Sequence, residues 1–340
     1  MSWSLLGRFF GVPLVIVAAI VGGAVTVVTL FGGPAAPKQQ TVDQLLQALE
    51  ASSGEKSAGI LLPREKELWQ TALELSERLK NKSAELPEGG AEVAATRLAD
   101  MVRSEMTRVD QVTVSGDELA KQRALQSARF EFLLRALART ETQVGLSTLI
   151  EVVERGQEPY VSVAIQELAN LHGLPDSQTA VAPILAVLAK SDRPETLLVA
   201  STALSVLASK NDQRVTGVLA SVRLANDGEV AWSAALALAR LGSDAGKSTL
   251  LDMLDRSFWE TGERYEVIDE KGNVLRYRMP PERVKALLVA SVEAASNLRD
   301  PQLWEAIESL KADPSHEVQG AVMRALGARQ TANADTRENT

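Results

Sequence analysis

The stretch that decides the fold runs from Glu195 to Leu254 and reads ETLLVASTALSVLASKNDQRVTGVLASVRLANDGEVAWSAALALARLGSDAGKSTLLDML. It continues a pattern that repeats with a shift of 34 residues: Ala200, Ala203, Leu204 and Leu207 return as Ala234, Ala237, Leu238 and Leu241, and Val181, Ile184, Leu185 and Leu188 return as Val215, Val218, Leu219 and Val222. Each set has the spacing i, i+3, i+4, i+7, which is one apolar stripe along a helix. Two striped helices per period of about 34 residues predict an α-solenoid.

Two segments within the regular part carry a family resemblance. They are VAWSAALALARLGS from Val230 to Ser243 and DPSHEVQGAVMRALGA from Asp313 to Ala328. Both resemble the first helix of a HEAT repeat, in which an Asp-Pro turn precedes a valine, paired alanines, a leucine and a glycine. The arginine that usually follows the valine is absent, so the repeats are divergent. The resemblance implies a scaffold or adaptor that binds other macromolecules.

A long apolar segment stands near the N-terminus, where Val12–Phe31 contains no charged residue. Twenty helical residues span about 30 Å, the thickness of the hydrocarbon core of a bilayer. The alternatives are a cleaved signal peptide, whose apolar region is typically shorter at about 7 to 15 residues, and a buried core helix. We therefore expect a single-pass membrane protein that contacts the lipid bilayer through Val12–Phe31. The positive charges at Arg8 and the amino terminus favour an N-terminus on the cytoplasmic side of the membrane. The spacing of Gly7 and Gly11 would let two such helices pack closely and so permit weak homo-association.

The predicted fold class is all-α: a single N-terminal transmembrane helix followed by a HEAT-like α-solenoid with one inserted β-hairpin. The predicted segments are an N-terminal flank at 1–11, the transmembrane helix at 12–31, a linker at 32–41, an irregular helical part at 42–155, HEAT-like repeats at 156–329 and a disordered tail at 330–340.

The hairpin is predicted because the repeat is interrupted at about residues 257–281. The leucine expected one period after Leu241 comes only at Leu298, and Tyr265–Ile268 and Val274–Arg278 are β-favouring runs on either side of a turn sequence. An isolated hairpin is marginal in water, so it packs either on its own helices or on a partner. Aromatic and arginine residues are favoured at interfaces. The candidate partner contacts are therefore Trp259, Tyr265, Arg276, Tyr277 and Arg278.

Composition and motifs point away from several classes of function. The formal net charge is −8, with no basic stripe such as a nucleic-acid binder carries, and there is no cysteine for thiolate catalysis or zinc binding. The run from Gly242 to Ser248 lacks the spacing and the preceding strand of a phosphate loop, so we interpret Gly242 as a helix C-cap. His172 and His316 lie far apart. No catalytic, cofactor-binding or metal-binding residue is predicted.

The expected function is a membrane-anchored, non-catalytic HEAT-repeat scaffold or adaptor for an unknown protein partner, with no cofactor and no binding of nucleic acid. One alternative is a structural envelope component that self-associates. A second is a subunit of an enzyme complex, since HEAT-like solenoids also act on prosthetic groups. The sequence identifies no pocket of convergent polar residues that would favour this second alternative.

Overall fold

A computed structural model describes residues 41–53, 71, 74–75, 79, 90–111, 130–156, 160–224, 227–261, 265–268 and 274–338. The chain divides into two compact units, Gln39–Val218 and a second one to which Leu219–Thr340 belongs. Apart from one short β-hairpin, the regular structure described in both units is helical.

The first unit is built from helices that pack as neighbours along the chain. Its helices are α1 (Val42–Ser53), α2 (Gly90–Gln111), residues 130–138, α3 (Gln143–Arg155), α4 (Tyr160–Asn170), the 3-10 turn Ser177–Ala180, α5 (Val181–Lys190) and α6 (Pro194–Leu207), and α7 (Gln213–Val222) crosses its boundary. Helix α4 packs on both α3 and α6, and α5 packs on α6. The repeated stripe of α6 explains this packing, since Ala200, Ala203, Leu204 and Leu207 are all buried.

The second unit repeats the arrangement in two layers. Its helices are α8 (Gly228–Arg240), the 3-10 turn Asp244–Gly246, α9 (Lys247–Leu254), α10 (Arg256–Glu260), α11 (Pro281–Ala295), α12 (Pro301–Ser309), the 3-10 turn Leu310–Ala312 and α13 (His316–Glu338). Helices α8, α11 and α13 stack in that order, and α9 and α12 stack beside them. The predicted stripe Ala234, Ala237, Leu238 and Leu241 is buried. This pairing of helices is compatible with an α-solenoid.

The turns between these helices use the polar residues that the sequence places there. The side chain of Asp227 accepts a hydrogen bond from the Val230 N–H at the start of α8, and Asp300 accepts two from the first turn of α12. These side chains satisfy backbone donors that a helix start leaves without a partner. Gly242 has a φ of 84° after α8, in the left-handed region that a helix C-cap needs. Leu241 is the C-cap residue and Gly242 takes the C′ position after it, so the interpretation of Gly242 as part of the C-terminal cap is confirmed.

The predicted fold class needs correction in its membrane-spanning part. Among the residues that the structure describes, no helix is long and apolar enough to cross a membrane. The apolar segment that led to the prediction, Val12–Phe31, lies outside those residues. The predictions of a membrane location, of lipid contact and of weak homo-association rest on the same N-terminal residues, and no observation tests them. At the other end, α13 continues to Glu338, through most of the segment predicted to be disordered.

Candidate partner-binding site

The inserted segment between α10 and α11 contains a two-stranded antiparallel sheet. Strand β1 is Tyr265–Ile268 and strand β2 is Val274–Tyr277. The register pairs Tyr265 with Tyr277 and Glu266 with Arg276. Residues directly opposite each other in an antiparallel pair share a face, and successive residues alternate between faces. Tyr265, Val267, Leu275 and Tyr277 therefore share one face of the hairpin, and Glu266, Ile268, Val274 and Arg276 share the other.

The segment that leads into the hairpin is anchored in the core by Trp259. Its side chain is completely buried, and its Nε1 donates a 2.9 Å hydrogen bond to the carbonyl oxygen of Met253. The ring also makes edge-to-face contacts with Trp232 and Phe258, at centroid distances of 4.7 and 5.0 Å. Such pairs stabilise a core by about 0.5–1.5 kcal/mol beyond burial. Trp259 is therefore a packing residue of the second unit, and the sequence-based choice of it as a partner contact is corrected.

The segment that leaves the hairpin is anchored as well. Met279 is buried and belongs to the same apolar cluster as Trp259. Pro280 and Pro281 follow it in the sequence. Pro280 is the N-cap residue of α11, and Pro281 is the first residue of the helix, where proline is well accepted. Between this anchor and β2 lies Arg278, which is exposed. Two buried residues, Trp259 and Met279, thus flank the hairpin in sequence, and Arg278 next to Met279 is exposed.

An ion pair whose carboxylate is buried joins the start of α10 to the turn before α13. The Arg256 Nε and Nη2 atoms donate 2.7 Å hydrogen bonds to the two carboxylate oxygens of Asp313, whose side chain is 1% exposed. Burial acts to raise the pKa of Asp313, but the hydrogen bonds from Arg256 and from the Ser315 N–H hold this pKa below its ordinary value. The pair fixes α10, and with it the entry to the hairpin, against the next repeat.

A cavity of about 350 Å³ lies beside this ion pair. Its apolar lining comes from α9, α12 and the following turn, through Leu251, Leu254, Ala306, Leu310 and Pro314. Its charged groups already bind other groups of the protein: Arg256 and Asp313 bind each other, and Asp255 caps α10. A charged ligand would have to compete with these bonds. Among the described residues, no group of three or more acidic, histidine or cysteine side chains could hold a metal ion.

The structure thus places the five candidate residues in different settings. Tyr265, Arg276 and Tyr277 lie in the strands, Arg278 is exposed and Trp259 is in the core. Sequence reasoning missed the anchor Met279 and the Arg256–Asp313 pair. The neighbouring Met-Pro-Pro sequence could have indicated where the insertion rejoins a helix. The ion pair joins residues 57 positions apart, and no local pattern indicates it.

Comparison with known proteins adds little to this description. No protein-family model matches the chain, and no curated protein matches it. Among solved structures, human deoxyhypusine hydroxylase in complex with glycerol is similar to it, with 14% identity over 83% of this chain and 96% of that one, at a TM-score of 0.29. The protein in this match is named as a hydroxylase, which runs against the prediction that the protein is not an enzyme, and that prediction is not carried further. A TM-score this low carries no argument about what this chain does.

Proposed function

We propose that the protein is a HEAT-like scaffold or adaptor that binds a protein partner, and that the inserted hairpin is the contact element. The observation that carries the proposal is the anchoring of the hairpin at both ends. Trp259 and Met279 are buried in one apolar cluster, and the strands between them are inserted into an otherwise regular helical repeat. The resemblance of Val230–Ser243 and Asp313–Ala328 to HEAT repeats supports the class.

Anchoring matters because association costs conformational freedom. Each side chain that becomes ordered at an interface costs about 0.5–1.5 kcal/mol. A hairpin whose two ends are fixed in a core is already partly ordered, so less of the interaction free energy is lost when a partner binds. The hairpin also offers residue types that dominate binding energies, namely Tyr265, Tyr277 and the exposed Arg278.

The test replaces residues 262–278 with an eight-residue glycine-serine linker and keeps both Trp259 and Met279. We expect the circular dichroism spectrum and melting temperature to stay close to those of the parent, because loop closure changes by only about 0.6 kcal/mol per doubling of length. Parent and variant full-length chains are then cross-linked in an extract of the source cells and analysed by mass spectrometry.

Three results are distinguishable. A foreign protein recovered in stoichiometric amount with the parent and lost with the linker variant supports the proposal. A foreign protein recovered equally with both moves the contact away from the hairpin. Recovery of cross-linked copies of the chain alone contradicts the adaptor and favours the self-associating alternative.

A further inference from the structure

We propose that the cavity between α9 and α12 binds a basic side chain, lysine or arginine, of a protein partner. This inference rests on the proposed function and adds a second contact in the unit that carries the hairpin. The cavity has a volume of about 350 Å³, close to the lower limit of about 300 Å³ for ligand sites. A site of this size suits one long side chain better than a large cofactor.

The apolar part of the cavity is supplied by the last turns of two helices. Leu251 and Leu254 come from the end of α9, and Ala306 and Leu310 come from α12 and the turn that follows it. Leu254 and Leu310 are buried, whereas Leu251 and Ala306 are half-buried. The methylene stem of a long basic side chain packs well on such a surface while its charged group stays close to water.

Both of these helices end at the cavity. Leu254 is the last residue of α9, and Ser309, which also lines the cavity, is the last residue of α12. The C-terminal end of a helix carries a partial negative charge, because its last carbonyl groups have no partner within the helix. The two helix ends therefore both favour a cation in the cavity and disfavour an anion.

The charged side chains of the lining favour the same sign. They are Asp255, Arg256 and Asp313, which makes two carboxylates against one guanidinium. Arg256 donates hydrogen bonds to both carboxylate oxygens of Asp313, so these two charges neutralise each other. Asp255 therefore supplies the net negative charge of the cavity.

Asp255 has the capacity to accept a further hydrogen bond. Its side chain is exposed, and it accepts bonds from the N–H and the hydroxyl group of Ser257. Both donors are neutral, and a carboxylate offers about four acceptor positions. A bond from an ammonium or guanidinium group is roughly twice as strong as a neutral one. An anion, in contrast, would have to take Arg256 away from the buried carboxylate of Asp313.

The competing interpretation is a gap between two stacked repeats that holds water and nothing else. The two interpretations differ in a measurable respect, since a water-filled gap does not select among small groups by charge. The chain contains no cysteine, so a single introduced cysteine reports on its own surroundings. Reversible disulfide exchange at that cysteine then measures weak binding next to it.

The test uses the full-length variant Ser309→Cys, because Ser309 is exposed and lines the cavity. The variant is equilibrated with disulfides of aliphatic thiols in an excess of mercaptoethanol. The probes have stems of two, four or six carbon atoms that end in an ammonium, a guanidinium, a hydroxyl or a carboxylate group. Mass spectrometry of the intact protein measures the fraction captured. The matched control is Ser248→Cys, an exposed serine of α9 that lies outside the lining and one turn from Asp252.

We expect Ser309→Cys to capture the longer ammonium and guanidinium probes at least fivefold better than the hydroxyl probes, and the carboxylate probes least. Adding Asp255→Asn should remove this preference while asparagine still caps α10, and adding Asp252→Asn should not. Adding Ala306→Met should reduce the capture of the longer stems by filling the apolar part. The Ser248→Cys control should prefer the cationic probes by less than twofold, and all variants should melt close to the parental temperature.

The source of the basic group is tested by cross-linking in an extract of the source cells. The full-length chains are the parent, Asp255→Asn and Asp252→Asn. Recovery of the foreign protein should fall at least threefold with Asp255→Asn and stay at the parental level with Asp252→Asn.

Equal capture of cationic, neutral and anionic probes overturns the inference and leaves a water-filled gap. The same preference at Ser248→Cys also overturns it, because the net charge of the chain would then be responsible. Full recovery of the foreign protein with Asp255→Asn overturns the assignment to a protein partner. Loss of the partner on hairpin replacement, together with no selective capture, would refute the basic-group site while the proposed function stands.

Discussion

Removing one partner of the Arg256–Asp313 ion pair should destabilise the second unit far more than removing one partner of an exposed pair of the same charges. The perturbation is Asp313→Ala. It removes two 2.7 Å hydrogen bonds from the guanidinium and a 2.9 Å bond from the Ser315 N–H, at a side chain that is 1% exposed. Removing one partner of a buried pair typically costs 3–5 kcal/mol, because the other charge stays buried.

The expected magnitude lies at the lower end of that range. Arg256 is 22% exposed and keeps Glu260 as a partner at 3.1 Å, so its charge is not left alone. We expect a loss of about 3 kcal/mol in the free energy of unfolding. At roughly 4 °C per kcal/mol for a unit of this size, the melting temperature should fall by about 12 °C.

The assay is thermal unfolding followed by circular dichroism, with Glu293→Ala as the matched control. Glu293 pairs with Arg324 at 3.2 Å between α11 and α13, but these side chains are 52% and 67% exposed. Exposed pairs contribute about 0–1 kcal/mol, so this control should lose at most about 4 °C. A loss for Asp313→Ala within about 2 °C of the control would refute the assignment of a stabilising buried pair.

The same variant has a pH dependence whose sign follows from the pKa of Asp313. Because the folded-state pKa is lowered, the stabilising contribution is fully present above the unfolded pKa of about 3.9 and is lost as the pH falls through the folded pKa. The difference in melting temperature between the parent and Asp313→Ala should therefore be constant near neutral pH and shrink below about pH 4. A difference that grows on acidification would contradict the reasoning.

Two further predictions concern the repeat. Leu238→Asp should lower the free energy of unfolding by several kcal/mol, because Leu238 is completely buried and a carboxylate there would have no compensating partner. An unchanged melting curve would show that the apolar stripe containing Leu238 is misassigned. Gly246→Ala should also destabilise, because its Cβ would lie 2.9 Å from the Cα of Ala235. Gly327 lies in α13 with open space around it, so Gly327→Ala should instead raise the free energy of unfolding by up to about 1 kcal/mol. Both variants are measured by urea unfolding. Equal effects of the two alanines would contradict the close approach of Gly246 to Ala235.

The sequence by itself determined the helices of the regular part and most of their buried positions, although Leu185, Val218 and Val222 of the predicted stripes are only partly buried. The stripe at Ala234, Ala237, Leu238 and Leu241 was predicted correctly, because a helix that packs on one side needs apolar residues every three to four positions. Asp227 and Asp300 cap the starts of α8 and α12 for a reason that is also local. A helix start leaves backbone donors that short polar side chains satisfy locally.

Only the tertiary structure decided that Trp259 belongs to the core while Arg278 is exposed. Tryptophan and arginine are both residue types favoured at interfaces. Trp259 nevertheless lies in the core, whereas Arg278 is exposed. The difference depends on Trp232 and Met253, whose positions are set by packing and not by a local pattern. The Arg256–Asp313 pair was unpredictable for the same reason. Residues 57 positions apart meet only when two helical repeats stack.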